Sequence, residues 1–71
     1  MEKIIIKNPT SNISHEITFK KRGLSNSKII ILLDGRLVGK INKSSKSIFA
    51  YNSFVYNVVK ENINNIITND N

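Results

Sequence analysis

The sequence predicts an α+β fold: a small antiparallel sheet of four or five strands with one C-terminal helix packed on one face. Two features of the pattern point there. Up to about residue 51 the apolar side chains come in short β-branched runs separated by turn-forming residues, Asp34-Gly35 being the sharpest. Beyond that point apolar positions recur at helical spacing. At 71 residues the chain is one small domain, 1–71, too short for two independent cores.

The first strand is expected over Lys3 to Lys7, where three isoleucines are closed by Asn8-Pro9. A second runs from Ile13 to Arg22. Ile13, His15, Ile17 and Phe19 share one parity there, while Ser14, Glu16, Thr18, Lys20 and Arg22 share the other, as a strand with one wet face requires. Gly23 to Ser27 supplies a turn, and Lys28 to Leu33 reads as a central strand. Asp34-Gly35 then predicts a two-residue type I′ turn, because both turn positions need positive φ. Asn42 to Lys46 forms a polar turn into a short strand around Ser47 to Tyr51.

Phe54, Val55, Val58, Val59, Ile63, Ile66 and Ile67 mark an amphipathic helix over about 53–67, capped by Asn52 or Ser53. Its valines, isoleucines and asparagines have poor helix propensity, so it depends on packing against the sheet. Thr68 to Asn71 form a fraying end.

If Leu33 pairs with Arg36, an unbroken ladder sets Leu32 opposite Leu37, Ile31 opposite Val38, Ile30 opposite Gly39 and Ile29 opposite Lys40. One face then carries Ile30, Leu32, Leu37, Gly39 and Ile41, and is the expected core. The other carries Ile29, Ile31, Leu33, Val38, Arg36 and Lys40; Ile29, Ile31 and Val38 are its expected contact residues for a partner. Gly39 is expected where a backbone or ring approaches closely. Phe49, Tyr51 and Tyr56, near the strand–helix junction, are expected to close the core, with stacking on exposed bases as the alternative use.

The inventory of reactive groups is sparse. There is no cysteine, which excludes disulfides, thiolate chemistry and cysteine-based metal sites. His15 is the one imidazole, its sequence neighbour Glu16 points to the opposite face, and a structural role is favoured for it. Asp34 is explained by its turn, and Gly35 and Gly39 lack the strand–loop–helix setting of a phosphate loop. No catalytic residues, metal site or cofactor is expected, and the chain reads as non-enzymatic. The isoleucine run at the start is too short for a secretory or membrane segment, so a cytoplasmic protein is expected.

Charge is the positive signal. Eleven Lys and Arg against five Asp and Glu give +6, and the asymmetry is internal: residues 1–46 carry +7, whereas residues 47–71 carry −1. Lys20, Lys21, Arg22, Arg36, Lys40 and Lys43 are the expected contact residues for nucleic acid or another partner, the two arginines being suited to bidentate contacts. The expected three strands and helix over 28–67 resemble small sheet-based DNA-binding modules, including the amino-terminal domains of some integrases. That resemblance implies a sheet presented to duplex DNA.

Thirteen Ile, eleven Asn and nine Lys among 71 residues track AT-rich codons and resemble accessory proteins of phages, many of which inhibit a host enzyme. Three functions follow as expectations. The first is a non-enzymatic nucleic-acid-binding or regulatory module. The second is an inhibitor of a host replication, transcription or defence protein, acting in the bacterial host cell. The third is a small homodimeric structural protein whose open sheet face forms the interface.

Overall fold

Each apolar run becomes a strand and the amphipathic segment becomes the helix, in a computed structural model that describes residues 3–23 and 27–68. The elements are β1 (Lys3–Lys7), β2 (Ser14–Arg22), β3 (Lys28–Leu33), β4 (Arg36–Asn42), β5 (Ser47–Ala50) and α1 (Ser53–Thr68). The strands form one antiparallel meander in the order β1-β2-β3-β4-β5, and α1 packs against it. The first isoleucine run therefore joins the sheet as an edge. Ile13, expected inside β2, precedes it and is exposed. The turn expected over Gly23 to Ser27 lies partly outside the described residues, as does most of the expected fraying end.

Asp34 and Gly35 take φ of 50° and 84°, the paired positive values that a type I′ turn needs. The β4–β5 turn is organised by Asn42, whose Oδ1 accepts from Ser44 N at 3.1 Å and Ser44 Oγ at 2.8 Å. Helix α1 starts with Asn52 as its cap, Oδ1 accepting from Val55 N at 3.2 Å.

The register between β3 and β4 decides which β4 side chains share each face with those of β3. Leu33 pairs with Arg36 and Leu32 with Leu37, as expected. Beyond them the ladder shifts by one: Ile31 pairs with Gly39, Ile30 with Lys40 and Ile29 with Ile41, so Val38 is the extra residue of a β-bulge. Ile17 pairs with Leu33 and Phe19 with Ile31, which binds the parity of β3 to the alternation of β2.

The expected faces are consequently reversed. Ile29, Ile31 and Val38, expected to be open for a partner, are 1%, 0% and 9% exposed, and they join Ile17, Phe19, Ile41, Val55, Val58, Val59 and Ile66 in the core. Ile30, Leu32 and Leu37, expected as core, lie on the face away from the helix. Gly39 and Ile41 were expected on the core side and are there, because the bulge flips β4 between Leu37 and Gly39.

Gly39 has a specific reason to be glycine. A Cβ at this position would collide with the backbone carbonyl of Phe49 on β5. The missing side chain lets β5 close against β4, as the close-approach reading anticipated.

Candidate functional site: the open sheet face

Strand alternation collects side chains on the face that α1 leaves uncovered. Pairing of Lys3 with Thr18, Ile5 with Glu16 and Lys7 with Ser14 sets all six on this face. Lys20 with Ile30, Arg22 with Lys28, Thr18 with Leu32, and Lys40 with both Ile30 and Phe49 extend it across the sheet. The result is a surface bearing Lys3, Lys7, Lys20, Arg22, Lys28 and Lys40, with Glu16 as the carboxylate among the described residues of these strands. Lys3 Nζ lies 3.3 Å from Glu16 Oε2, an exposed pair of small energetic weight. Among the described residues no carboxylate lies within ion-pair distance of Lys7, Lys20, Arg22, Lys28 or Lys40.

The six cations named from the sequence do not form one patch. Lys20, Arg22 and Lys40 share the open face. Lys21 has the opposite parity, paired with Ile29, so the run Lys20-Lys21-Arg22 is split by the pleat. Arg36 stands at the hairpin tip, paired with Leu33 on the helix side, and the bulge separates it from Lys40, with which it was expected to share a face. Lys43 lies past β4, its backbone N donating to Ser27 O at 2.9 Å. Lys28 belongs to the basic band that the sequence offers, and its pairing with Arg22 sets it on this face; Lys3 and Lys7 were not singled out in the sequence, and their contribution follows from the pairing that brings β1 beside β2.

The aromatics also depart from expectation. Phe49 is 53% exposed and Tyr51 is 73% exposed, where both were expected to close the core. Phe49 faces outward because its partner Lys40 does, and Tyr51 is held by its backbone N donating to Val38 O at 2.9 Å. The bulge thus positions both rings of this corner: it turns Lys40, and with it Phe49, outward and offers the Val38 carbonyl to Tyr51. The two rings meet edge to face, with centroids 5.2 Å apart and planes at 86°. Beside them lies a hollow of about 340 Å³ lined by Ile30, Leu37, Gly39, Lys40, Phe49 and Tyr51. A second hollow of about 380 Å³ continues along Lys28, Lys40, Asn42 and Ser47.

A contact that sequence spacing did not reveal joins His15 to Asp34. Asp34 Oδ2 accepts from His15 Nδ1 at 2.7 Å, and Oδ1 accepts from Glu16 N at 2.9 Å. The backbone bond to Glu16, and next the His15 bond, hold the Asp34 carboxyl below its ordinary range. The imidazole also meets the Phe54 ring edge-on, with centroids 6.2 Å apart. The arrangement ties the β3–β4 hairpin to β2.

Among the described residues no group of three or more His, Asp or Glu side chains is placed to hold a metal ion. No helix there is long and apolar enough to cross a membrane. The chain matches no protein-family model, no curated protein and no solved structure in the comparisons made.

Proposed function

We propose that this protein is a non-enzymatic nucleic-acid-binding module that contacts phosphates through its open sheet face. The observation that carries the reading is the placement of Lys7, Lys20, Arg22, Lys28 and Lys40 on one surface with, among the described residues, no carboxylate in ion-pair range of them. Phosphate binding releases condensed counterions, so log K should fall linearly with log salt, with a slope of about −0.7 to −0.9 per phosphate neutralised. Lys20→Gln, Arg22→Gln and Lys40→Gln should each weaken binding across sequences and reduce that slope by about one. Arg36→Gln, at the hairpin tip on the other parity, should change it less. Titration of labelled oligonucleotides at several salt concentrations checks this; no binding at low salt overturns the reading.

A protein partner, such as a host enzyme under inhibition, or a second copy of the chain is the competing use of the same face. It is favoured by Ile5 and Leu37, two exposed aliphatic side chains lying among the cations. A stoichiometric complex that survives nuclease treatment, or concentration-dependent mass in light scattering, would support that alternative.

A further inference from the structure

We infer that the occupant of the open face is an unpaired polynucleotide strand, one base of which enters the corner between Phe49 and Tyr51. This rests on the nucleic-acid reading and narrows it. Rings set at 86° with centroids 5.2 Å apart cannot both stack on successive parallel bases. They form two walls. A base lying flat on one ring presents its edge to the face of the other, and both arrangements are favourable for aromatic groups.

The hollow beside the rings supplies the remaining surroundings. Ile30 and Leu37 give it an apolar floor, and Lys40, cross-strand from Phe49, brings a cation beside the ring that would carry the base. Lys28 lines the adjoining hollow, so a strand leaving the corner passes a second cation. An aromatic platform flanked by a basic track is the arrangement by which single strands are held without base-specific hydrogen bonds.

A duplex fits this corner poorly. Its bases are stacked on both faces and must be unpaired before one can enter. The polar side chains of the lining are Lys40 and Tyr51, which are taken up by phosphate and base. With no further polar side chain in the lining to read a 2′-hydroxyl, the site takes deoxyribose and ribose strands alike.

The test compares oligo(dU) and oligo(rU) of about 15 nucleotides, within the range of about 4–16 for single-strand sites, with a duplex of the same length at matched salt. Binding is read by fluorescence anisotropy. The expected order is both single strands above the duplex, with similar affinities for the two sugars. Tyr51→Ala should weaken single-strand binding by about 5- to 150-fold, the range for loss of one stacked base, and leave the salt slope unchanged. Tyr51→Phe should retain the affinity, and Tyr56→Ala, on the helix, should not alter it. Since Tyr51 is exposed, the native urea-melting profile should persist in its variants.

Duplex affinity equal to single-strand affinity, together with no loss in Tyr51→Ala, would overturn the corner assignment while leaving salt-dependent nucleic-acid binding in place. A marked preference for either sugar would overturn the claim of indifference. Absence of binding by all three probes at low salt would remove both readings.

Discussion

The two faces of this sheet use nearly the same aliphatic alphabet to different ends. Under α1, Ile17, Ile29, Ile31 and Ile41 are fully or almost fully buried with Phe19 and Val38. On the other side, Ile5, Ile30, Leu32 and Leu37 lie among lysines, Arg22 and two outward aromatic rings. Hydrophobicity alone does not distinguish the faces. Their difference comes from which polar residues alternate with the apolar ones in β2, and that choice is transmitted across β3 by register and inverted within β4 by the bulge. One face carries the buried core, and the other concentrates charge and exposed rings.

That contrast can be broken most sharply by two truncations. Ile31→Ala removes a fully buried side chain and should cost about 2–5 kcal/mol, a large share of the roughly 5–15 kcal/mol that small domains possess. Leu37→Ala on the exposed face should stay within about 0.5 kcal/mol. Urea denaturation of both variants checks the pair. Comparable losses would mean that the outer face is covered in solution, and a midpoint that rises with protein concentration would identify a second copy as the cover.

Gly39→Ala should have the next largest effect, about 1–3 kcal/mol, because the added methyl meets the Phe49 carbonyl and β4 and β5 must separate to admit it. This variant also tests whether the two faces are coupled: Gly39 lies on the helix side, yet the strand it displaces carries Phe49 on the open side. Denaturation gives the stability loss, and the aromatic NMR resonances of Phe49 and Tyr51 should shift. An unchanged aromatic spectrum would show that the corner does not depend on the β4–β5 contact.

Most of the architecture was legible because its signals are local. Alternation in β2, the Asp34-Gly35 turn, a helix cap at Asn52 or Ser53 and the spacing from Phe54 to Ile67 each depend on neighbours in the chain. The faces of β3 were not legible in the same way. Ile29 to Leu33 are all apolar, so only pairing of Phe19 with Ile31 decides which side is buried. The register read from the turn is correct for Leu33–Arg36 and Leu32–Leu37 and fails at Val38, since an extra residue in one strand changes parity without changing composition. The outward rings of Phe49 and Tyr51 inherit that parity. The clustering of Lys3, Lys7 and Lys28 with Lys20 and Arg22 likewise requires the completed sheet.

The smallest effect concerns Asp34, where the hairpin meets β2. Its carboxylate accepts from Glu16 N and His15 Nδ1, and these bonds lower its folded-state pKa below the unfolded value. The stabilising contribution is therefore present above the ordinary aspartate range of about 4 and is lost as pH falls through the depressed folded value. Asp34→Asn keeps a residue suited to positive φ in a type I′ turn and removes the titrating charge. In acid titrations followed by circular dichroism, the variant should lose less stability than the parent below about pH 4. Binding to the open face should be unchanged at neutral pH, because the Asp34 bonds tie the hairpin to β2 at the opposite end of β4 from Lys40. Equal acid sensitivity in the two proteins would assign the turn's stability to its backbone geometry alone, with the bonds to His15 and Glu16 adding nothing that titrates.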